Sequence, residues 1–300
     1  MSLDDPVVIT CAISGAIANR EQCPAIPYTP AEYAAEARRI VDEGGVHIHI
    51  HARKPDGTPS YDAEDFVAIR DEIRGEVGDA AIINFSTGTI GVSVAQRVAY
   101  LEAGRPEVAA LNMGSLNYAK YSKSRRDFVF QFVFANPFDE IIELLQAMRR
   151  LRIKPEHECF DIGHVASLEP LVDMGLLEAP LHADFVMGVL GGIPATARNL
   201  AAMADNMPSS VSGGGRERTH HWGVIGIGRA QWTMIAAALS LGGSVRAGLE
   251  DNLYLPDGTM ARSNGELIAT ARRMTVDAGR RPATVAEARE LLGISLSASN

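Results

Sequence analysis

Three histidines alternate with apolar residues early in the chain. Residues 46–53 read Val-His-Ile-His-Ile-His-Ala-Arg, and this two-residue period is that of a β-strand, so His47, His49 and His51 should point to one face. A row of neutral imidazoles is a costly filling for an apolar core, because each ring still needs hydrogen-bond partners. Two imidazoles two residues apart, near the C-terminal end of a strand, can instead hold one metal ion. The pattern therefore favours a metal site over a set of core histidines.

A second group of polar residues follows an apolar strand late in the chain. Residues 246–252 read Arg-Ala-Gly-Leu-Glu-Asp-Asn. Glu250 would add a carboxylate oxygen to His49 and His51 and leave an open coordination position, which is the arrangement of catalytic zinc. His47, one pleat deeper, is expected to support the site and not to ligate the metal.

The same stretch offers a general base. The guanidinium of Arg246 would keep the Asp251 carboxylate ionised, and a dry pocket would raise its basicity. We therefore expect Asp251 to accept a proton from a substrate that the metal polarises.

The elements that must position these residues alternate along the chain. Short runs rich in β-branched residues are separated by helix-like segments, and Thr29-Pro30 is a typical helix start. The strand candidates are residues 7–13, 46–51, 80–85, 107–113, 158–162, 183–190, 222–227 and 244–249. A further apolar run, 128–134, is expected to be an extra piece outside the main sheet.

Eight β–α units without a linker predict a single α/β domain over residues 1–300, with a parallel sheet closed into a (β/α)₈ TIM barrel. A doubly wound sheet is the alternative, but the first βα turn lacks the dinucleotide-binding glycine pattern. Active sites of TIM barrels lie at the C-terminal ends of the strands, so the metal site is expected there.

Two other predicted strand ends carry donors for an anionic oxygen. Residues 84–89 read Asn-Phe-Ser-Thr-Gly-Thr, and residues 112–117 read Asn-Met-Gly-Ser-Leu-Asn. Their backbone N–H groups and side chains, including the Asn112 amide, could bind a substrate. Ordinary turn chemistry is the alternative for either turn alone.

The composition of the chain limits the kinds of molecule that the protein is expected to bind. The chain has 300 residues, 46% hydrophobic and 22% charged, with a net charge of -9, which argues against nucleic acid as the main partner. Three cysteines, no basic leader and no apolar stretch of about 20 residues suggest a cytoplasmic protein without a membrane span. Basic pairs at Arg125-Arg126 and at Arg216 with Arg218 are of a kind that is usually only solvated, although either could meet the phosphates of a nucleotide-like cofactor. The segment 203–218 and the C-terminal tail could be a lid or an interface.

Taken together, the motifs resemble the β-keto acid cleavage enzymes, the family that includes 3-keto-5-aminohexanoate cleavage enzyme. The order and spacing of the matching motifs are specific and run through nearly the whole chain. They lie at residues 9–16, 49–57, 85–88, 111–115, 158–164, 188–194, 226–229, 245–252 and 286–289.

The resemblance implies a zinc-dependent TIM barrel that converts a small β-keto acid and acetyl-CoA into acetoacetate and a new acyl-CoA, and that forms a homo-oligomer (a dimer or a tetramer). It also implies residue roles. His49, His51 and Glu250 match the zinc ligands, Arg246 and Asp251 the proton-abstracting dyad, Ser86 a substrate-binding serine with Thr89 nearby, and Ser115 and Glu158 further polar groups of the catalytic pocket.

One position departs from the pattern. Ile17 stands where the amino-substrate member of the family carries an acidic residue that pairs with the substrate's ammonium group. An apolar residue there argues against a cationic substrate. Arg20, in the same loop, could instead bind an anionic or polar side chain of the substrate.

Two other functions remain open at this point. A metal-dependent hydrolase of the amidohydrolase type also uses a His-x-His pair, with later ligands that His164 or His182 could supply. A non-catalytic small-molecule binder on a barrel scaffold is the other alternative.

Overall fold

A computed structural model describes residues 2–208 and 220–294 of the chain. Residues 209–219 and 295–300 lie outside these ranges, and with them most of the segment predicted as a lid or an interface. The strands are β1 (Ile9–Ala12), β2 (His47–Ile50), β3 (Ile82–Ser86), β4 (Val108–Asn112), β5 (Leu116–Ser122), β6 (Asp127–Phe134), β7 (Lys154–Cys159), β8 (His182–Met187), β9 (His221–Gly226) and β10 (Ser244–Ala247). The helices are α1 (Pro30–Asp42), α2 (Ala63–Val77), α3 (Val94–Gly104), α4 (Phe138–Leu151), α5 (Ile162–Ala166), α6 (Leu168–Asp173), α7 (Ala197–Asp205), α8 (Ala230–Ser240), α9 (Asn264–Asp277) and α10 (Val285–Leu292).

Eight parallel strands form a closed barrel. Their order is β1-β2-β3-β4-β7-β8-β9-β10, and β10 pairs with β1 to close the ring. The predicted TIM barrel is confirmed, and the doubly wound sheet is wrong because that sheet has open edges. Seven of the eight strands lie where the apolar runs predicted them, with ends that differ by up to three residues.

The fifth barrel strand, β7, departs furthest from the sequence prediction. It was expected at residues 158–162 but spans Lys154–Cys159, and Asp161 is the N-cap of α5. The error arose because Glu156 and His157, in the first half of this strand, are polar and nevertheless buried. The Glu156 side chain lies inside the barrel, where it accepts a hydrogen bond from Asn84 Nδ2 at 2.7 Å.

Local sequence explains the first helix. The Thr29 side chain accepts the N–H of Glu32, and the Glu32 carboxylate accepts the N–H of Thr29, so both form a capping box ahead of α1. Of the helices in the described ranges, none is both long enough and apolar enough to cross a membrane.

An apolar cluster closes the N-terminal end of the barrel. It contains residues at or just before the starts of four strands and residues of α10: Val8, Val46, Ile82, Val108, Ala288 and Leu292. Because this end is filled with packed side chains, the polar residues at the opposite ends of the strands are the ones positioned to meet a ligand.

Strands β5 and β6 form an antiparallel hairpin between β4 and α4, which confirms that residues 128–134 lie outside the barrel. The base of the hairpin packs closely on the loop after β8. Gly191 has a φ of +101°, and a Cβ there would lie 1.7 Å from the carbonyl oxygen of Asn117, so only glycine fits. Ala119 also forms a β-bridge with Leu190. The base of the hairpin is therefore fixed to the barrel.

Candidate active site

The two histidines and the glutamate predicted as metal ligands converge at the C-terminal end of the barrel. His49 Nε2 lies 3.7 Å from Glu250 Oε2, and His51 Nε2 lies 3.6 Å from Glu250 Oε1. These separations are too long for hydrogen bonds. They are close to the edge of a ligand tetrahedron around zinc, which is about 3.4 Å for metal–ligand bonds near 2.1 Å. The three side chains therefore face one another as the ligands of a shared ion do.

The protonation and bonding of these groups also fit a cation. Both ring nitrogens of His49 and Glu250 Oε2 are buried without a hydrogen-bond partner in the described part of the chain. Burial lowers the pKa of His49 well below its usual value, so the ring is neutral and can ligate. Burial alone would raise the pKa of Glu250, but Arg246 and the two histidines hold it well below its usual value. The residues present thus fit a divalent metal ion.

Arg246 is the centre of a buried cluster of charges. Its Nε donates to Asp251 Oδ2 at 2.9 Å, and its Nη2 donates to Asp251 Oδ1 at 3.0 Å, so the contact with Asp251 is bidentate. Nη1 donates to Glu158 Oε1 at 3.1 Å, and Nη2 also donates to Glu250 Oε1 at 2.8 Å. The Arg246 and Asp251 side chains are only 3% and 1% exposed. One guanidinium therefore fixes three carboxylates in a nearly dry site.

The charges in this cluster do not balance without a further cation. One guanidinium faces three carboxylates, which leaves two negative charges if all three are ionised. Burial raises the pKa of Asp251 to about 6 and that of Glu158 to about 7, although Arg246 opposes both shifts. A divalent cation at the neighbouring histidines would neutralise the excess charge. A raised pKa also makes Asp251 a stronger base that is still mostly ionised at neutral pH.

A cavity of about 180 Å³ opens onto this cluster. Its polar side includes His51, Glu158, Glu250 and Asp251 together with Ser86, Thr89 and Asn112. The structure therefore brings these residues, all of them predicted from the sequence, to one space. Ser86 lies in β3 and Asn112 ends β4, so the strand ends position both residues, as expected for a TIM barrel.

Two residues predicted to bind substrate do not line the cavity. The Ser115 hydroxyl accepts the N–H of Asn136 and joins the two ends of the hairpin. The Arg20 guanidinium stacks over the Tyr28 ring, 4.2 Å from its centroid, and forms an ion pair with Glu32. Both side chains have local structural partners, which the sequence motifs did not reveal.

The histidines that a hydrolase would need as further ligands do not join the cluster of His49, His51 and Glu250, although His182 lies in a separate buried group with His47 and Glu156 that could itself hold an ion. His182 Nε2 lies 3.8 Å from Glu156, deeper in the barrel, and His164 Nδ1 accepts the N–H of Phe160. Neither histidine lines the cavity. His164 and His182 therefore add no ligand to the metal site that opens onto the cavity.

The sequence interpretation missed the aromatic wall of the cavity. Tyr118, Phe132 and Phe134 from the hairpin and Phe160 after β7 face the polar side across the space. The alternation of phenylalanines over 128–134 was a usable signal, because it places Phe132 and Phe134 on one face of a strand.

Arg53 was also missed as a positioning residue, although it follows the histidine run directly. Its side chain is 3% exposed. It donates to the carbonyl oxygens of Ser14, Gly15, Ala18 and Gly57. Arg53 thereby holds the loop after β1, whose Ile17 lines the cavity.

Replacing Arg53 by methionine should lower the free energy of unfolding by about 3 kcal/mol, because several carbonyl groups lose their donor. Urea unfolding of the two proteins measures this difference. Arg262→Met is the matched control, since the Arg262 side chain is 88% exposed in its ion pair with Glu266. An equal loss of stability in both variants would contradict the role assigned to Arg53.

A closed parallel barrel whose ionisable residues gather at the C-terminal ends of the strands is the layout of a TIM-barrel enzyme. The profile of the beta-keto acid cleavage enzyme family matches residues 6–294, and the chain belongs to this family.

Individual relatives agree with this assignment. The chain is 36% identical over 291 residues to 3-keto-5-aminohexanoate cleavage enzyme of Acetoanaerobium sticklandii, covering 97% of this chain and 99% of that protein. It is 32% identical over 314 residues to 3,5-dioxohexanoate:acetyl-CoA acetone transferase of Paraburkholderia graminis, covering 100% and 99%. The apo structure of ObcA superposes with a TM-score of 0.73 at 19% identity, covering 91% of this chain and 66% of ObcA. That structural similarity supports the barrel fold.

Proposed function

We propose that this protein is a zinc-dependent enzyme that cleaves a β-keto acid with acetyl-CoA as co-substrate. The products are acetoacetate and the acyl-CoA that carries the rest of the β-keto acid. The observation that carries the proposal is the bidentate Arg246–Asp251 pair next to the cluster of His49, His51 and Glu250. Family membership and the acetyl-CoA transfer named for the Paraburkholderia relative support it.

His49, His51 and Glu250 would hold the metal ion. A zinc ion there supplies a Lewis acid that polarises the β-keto oxygen and makes the adjacent C–H more acidic. Tyr33 Oη and Ser14 Oγ both donate to the carbonyl oxygen of His51, which fixes the end of β2 and the direction of the ligand.

Asp251 accepts the proton from the carbon between the ketone and the carboxylate of the substrate. Arg246 holds both oxygens of Asp251, so the base cannot rotate away from the cavity. The carbanion attacks the thioester carbon of acetyl-CoA and forms a new C–C bond. Ser86, Thr89 and Asn112 provide hydrogen-bond donors for the substrate carboxylate and the developing oxyanion.

The remaining steps exchange the acyl groups. The CoA sulfur leaves the acetyl carbon and bonds to the original ketone carbon, after which the original C–C bond breaks. The electron pair of that bond stays on the carbon that becomes C2 of acetoacetate. The proton held by Asp251 returns to this carbon, and Glu158, bound to Arg246 and lining the cavity, is placed to relay it, since its raised pKa suits this exchange.

The side chain of the substrate is best matched by an uncharged group. The mouth and wall of the cavity carry Ile17, Ile90, Phe132 and Phe160, and no lysine or arginine is among the residues that line it. An ammonium group placed against these side chains would lose hydration without gaining an ion pair. An anionic side chain would likewise find no basic partner there.

Kinetics with a set of β-keto acids test both the reaction and this preference. With acetyl-CoA present, kcat/KM for a neutral straight-chain β-keto acid should exceed that for 3-keto-5-aminohexanoate by about tenfold or more, the cost of burying an unpaired charge. Mass spectrometry of the acyl-CoA products gives the rates. Turnover at the same rate without acetyl-CoA would contradict the reaction, and a preference for the amino substrate would contradict the assigned side-chain site.

We further propose that the protein works in the cytoplasm as a homo-oligomer. Cys11, Cys23 and Cys159 are free and buried, which suits a reducing compartment. Oligomer formation is carried over from the family resemblance, and light scattering of the purified protein measures it.

A further inference from the structure

We propose that the β5–β6 hairpin binds the co-substrate CoA, with the phosphates on the basic tip and the pantetheine arm along one aromatic face. This inference rests on the proposed function and assigns the CoA subsite of the same cavity. The hairpin is suited to bind CoA because it begins at the cavity and ends in a cluster of positively charged side chains.

The aromatic face runs outward from the cavity. Tyr118, Phe132 and Phe134 line the cavity itself. Phe130 continues the row, with ring centroids 6.0 Å from Tyr118 and 5.9 Å from Phe132. Lys120 is paired directly opposite Phe130 in the antiparallel ladder, so it shares this face one step further out. The face therefore changes from aromatic to cationic with distance from the cavity.

The tip adds three more positive charges. Lys120, Lys123, Arg125 and Arg126 are all exposed. Across residues 2–208 and 220–294, the ion pairs found between basic and acidic side chains involve none of these four. In a chain with a net charge of -9, such a group of unpaired cations is unusual. The other basic pair, Arg216 and Arg218, lies outside the described residues.

The structure of CoA matches the change from aromatic to cationic residues along the hairpin, both in its direction and in its length. Strand β6 covers seven residue steps from Phe134 to Asp127, and at about 3.3 Å per step it spans roughly 23 Å. This is comparable with the extended reach from the CoA thiol to its phosphates. The carboxylates around Arg246 would repel those phosphates, whereas the thioester end must reach the cavity. Phosphates on the tip and the thioester at the cavity satisfy both requirements.

The test compares a full and a truncated thioester. Arg125→Gln combined with Arg126→Asn removes two charges, and asparagine tolerates the left-handed conformation at position 126, where φ is 52°. We expect the KM for acetyl-CoA to rise by about tenfold relative to the KM for S-acetyl-N-acetylcysteamine, which has no phosphates. Lys120→Gln should shift the same ratio in the same direction.

Arg272→Gln combined with Arg273→Gln is the matched control. These two exposed arginines are also adjacent, but they lie on α9, outside the barrel. The control should leave the ratio of the two KM values unchanged. Arg229→Gln tests an alternative site for the phosphates of CoA, because Arg229 is exposed just before α8, at the same end of the barrel as the cavity.

Calorimetric titration measures the binding of CoA without any turnover. It therefore tests the proposed CoA subsite independently of the proposed reaction. Weaker CoA binding by the hairpin variants, with the control unchanged, supports the subsite. The inference is overturned if CoA binds the wild type and the hairpin variants equally. It is also overturned if only Arg229→Gln weakens binding, or if the hairpin variants change the oligomeric state in light scattering and affect both thioesters alike.

Discussion

Asp251→Asn is expected to lower kcat/KM for β-keto acid cleavage by about a thousandfold, within the range for loss of a general base. Asparagine has nearly the same shape and can still accept a hydrogen bond from Arg246, but its amide cannot take up the substrate proton. The bidentate contact with Arg246 shows that Asp251 is held in place and is not a surface charge. Steady-state kinetics with acetyl-CoA and a neutral β-keto acid measure the effect.

Asp161→Asn is the control for this substitution. Asp161 follows β7 and caps α5, and it does not line the cavity. Asparagine is an equally good N-cap, so this variant should keep its activity. Circular dichroism of both variants reports whether they are folded. If Asp251→Asn retained a tenth or more of the wild-type kcat/KM, Asp251 could not be the base.

His49→Ala should remove the bound metal and, with it, all measurable turnover. The substitution leaves two of the three proposed ligands, and Glu250 then lacks its partner at 3.7 Å. We expect one metal ion per chain in the wild type and none in the variant after dialysis, measured by elemental analysis. Chelation of the wild type should likewise abolish activity, and added zinc should restore it.

His47→Gln provides the comparison within the same strand. His47 faces the barrel interior two residues earlier, where its Nδ1 lies 3.0 Å from the Thr10 hydroxyl. Glutamine can replace this hydrogen bond, so the variant should keep one metal ion per chain. A full metal content in His49→Ala, or a loss confined to His47→Gln, would show that the ligand set is misassigned.

The barrel could be predicted because its buried parallel strands are short apolar runs at regular spacing. The same rule failed at β7, where Glu156 inside the barrel and His157 on the opposite face of the strand are both buried but look like surface residues in the sequence. Hydrophobic periodicity reports burial only where the core is apolar. The start of β7 depends on tertiary partners such as Asn84, which the local sequence does not reveal.

The polar residues of the site could be predicted because the order of the strands determines which residues meet. Barrel strands bring their C-terminal ends together, so His49, His51, Glu250 and Asp251 could be grouped from strand assignments alone. The orientation of loop side chains is set by contacts distant in sequence or specific to the loop. Arg20 stacks on Tyr28 and does not reach the cavity, and no motif indicated this. The aromatic wall was missed because a hairpin outside the barrel supplies most of it.

The most direct test of the proposed reaction follows the carbon atoms. The enzyme is supplied with unlabelled β-keto acid and with acetyl-CoA labelled with carbon-13 in both acetyl carbons. We expect label at C3 and C4 of acetoacetate, unlabelled C1 and C2, and an unlabelled new acyl-CoA. Unlabelled acetoacetate, label released as free acetate, or cleavage that proceeds without acetyl-CoA would contradict it.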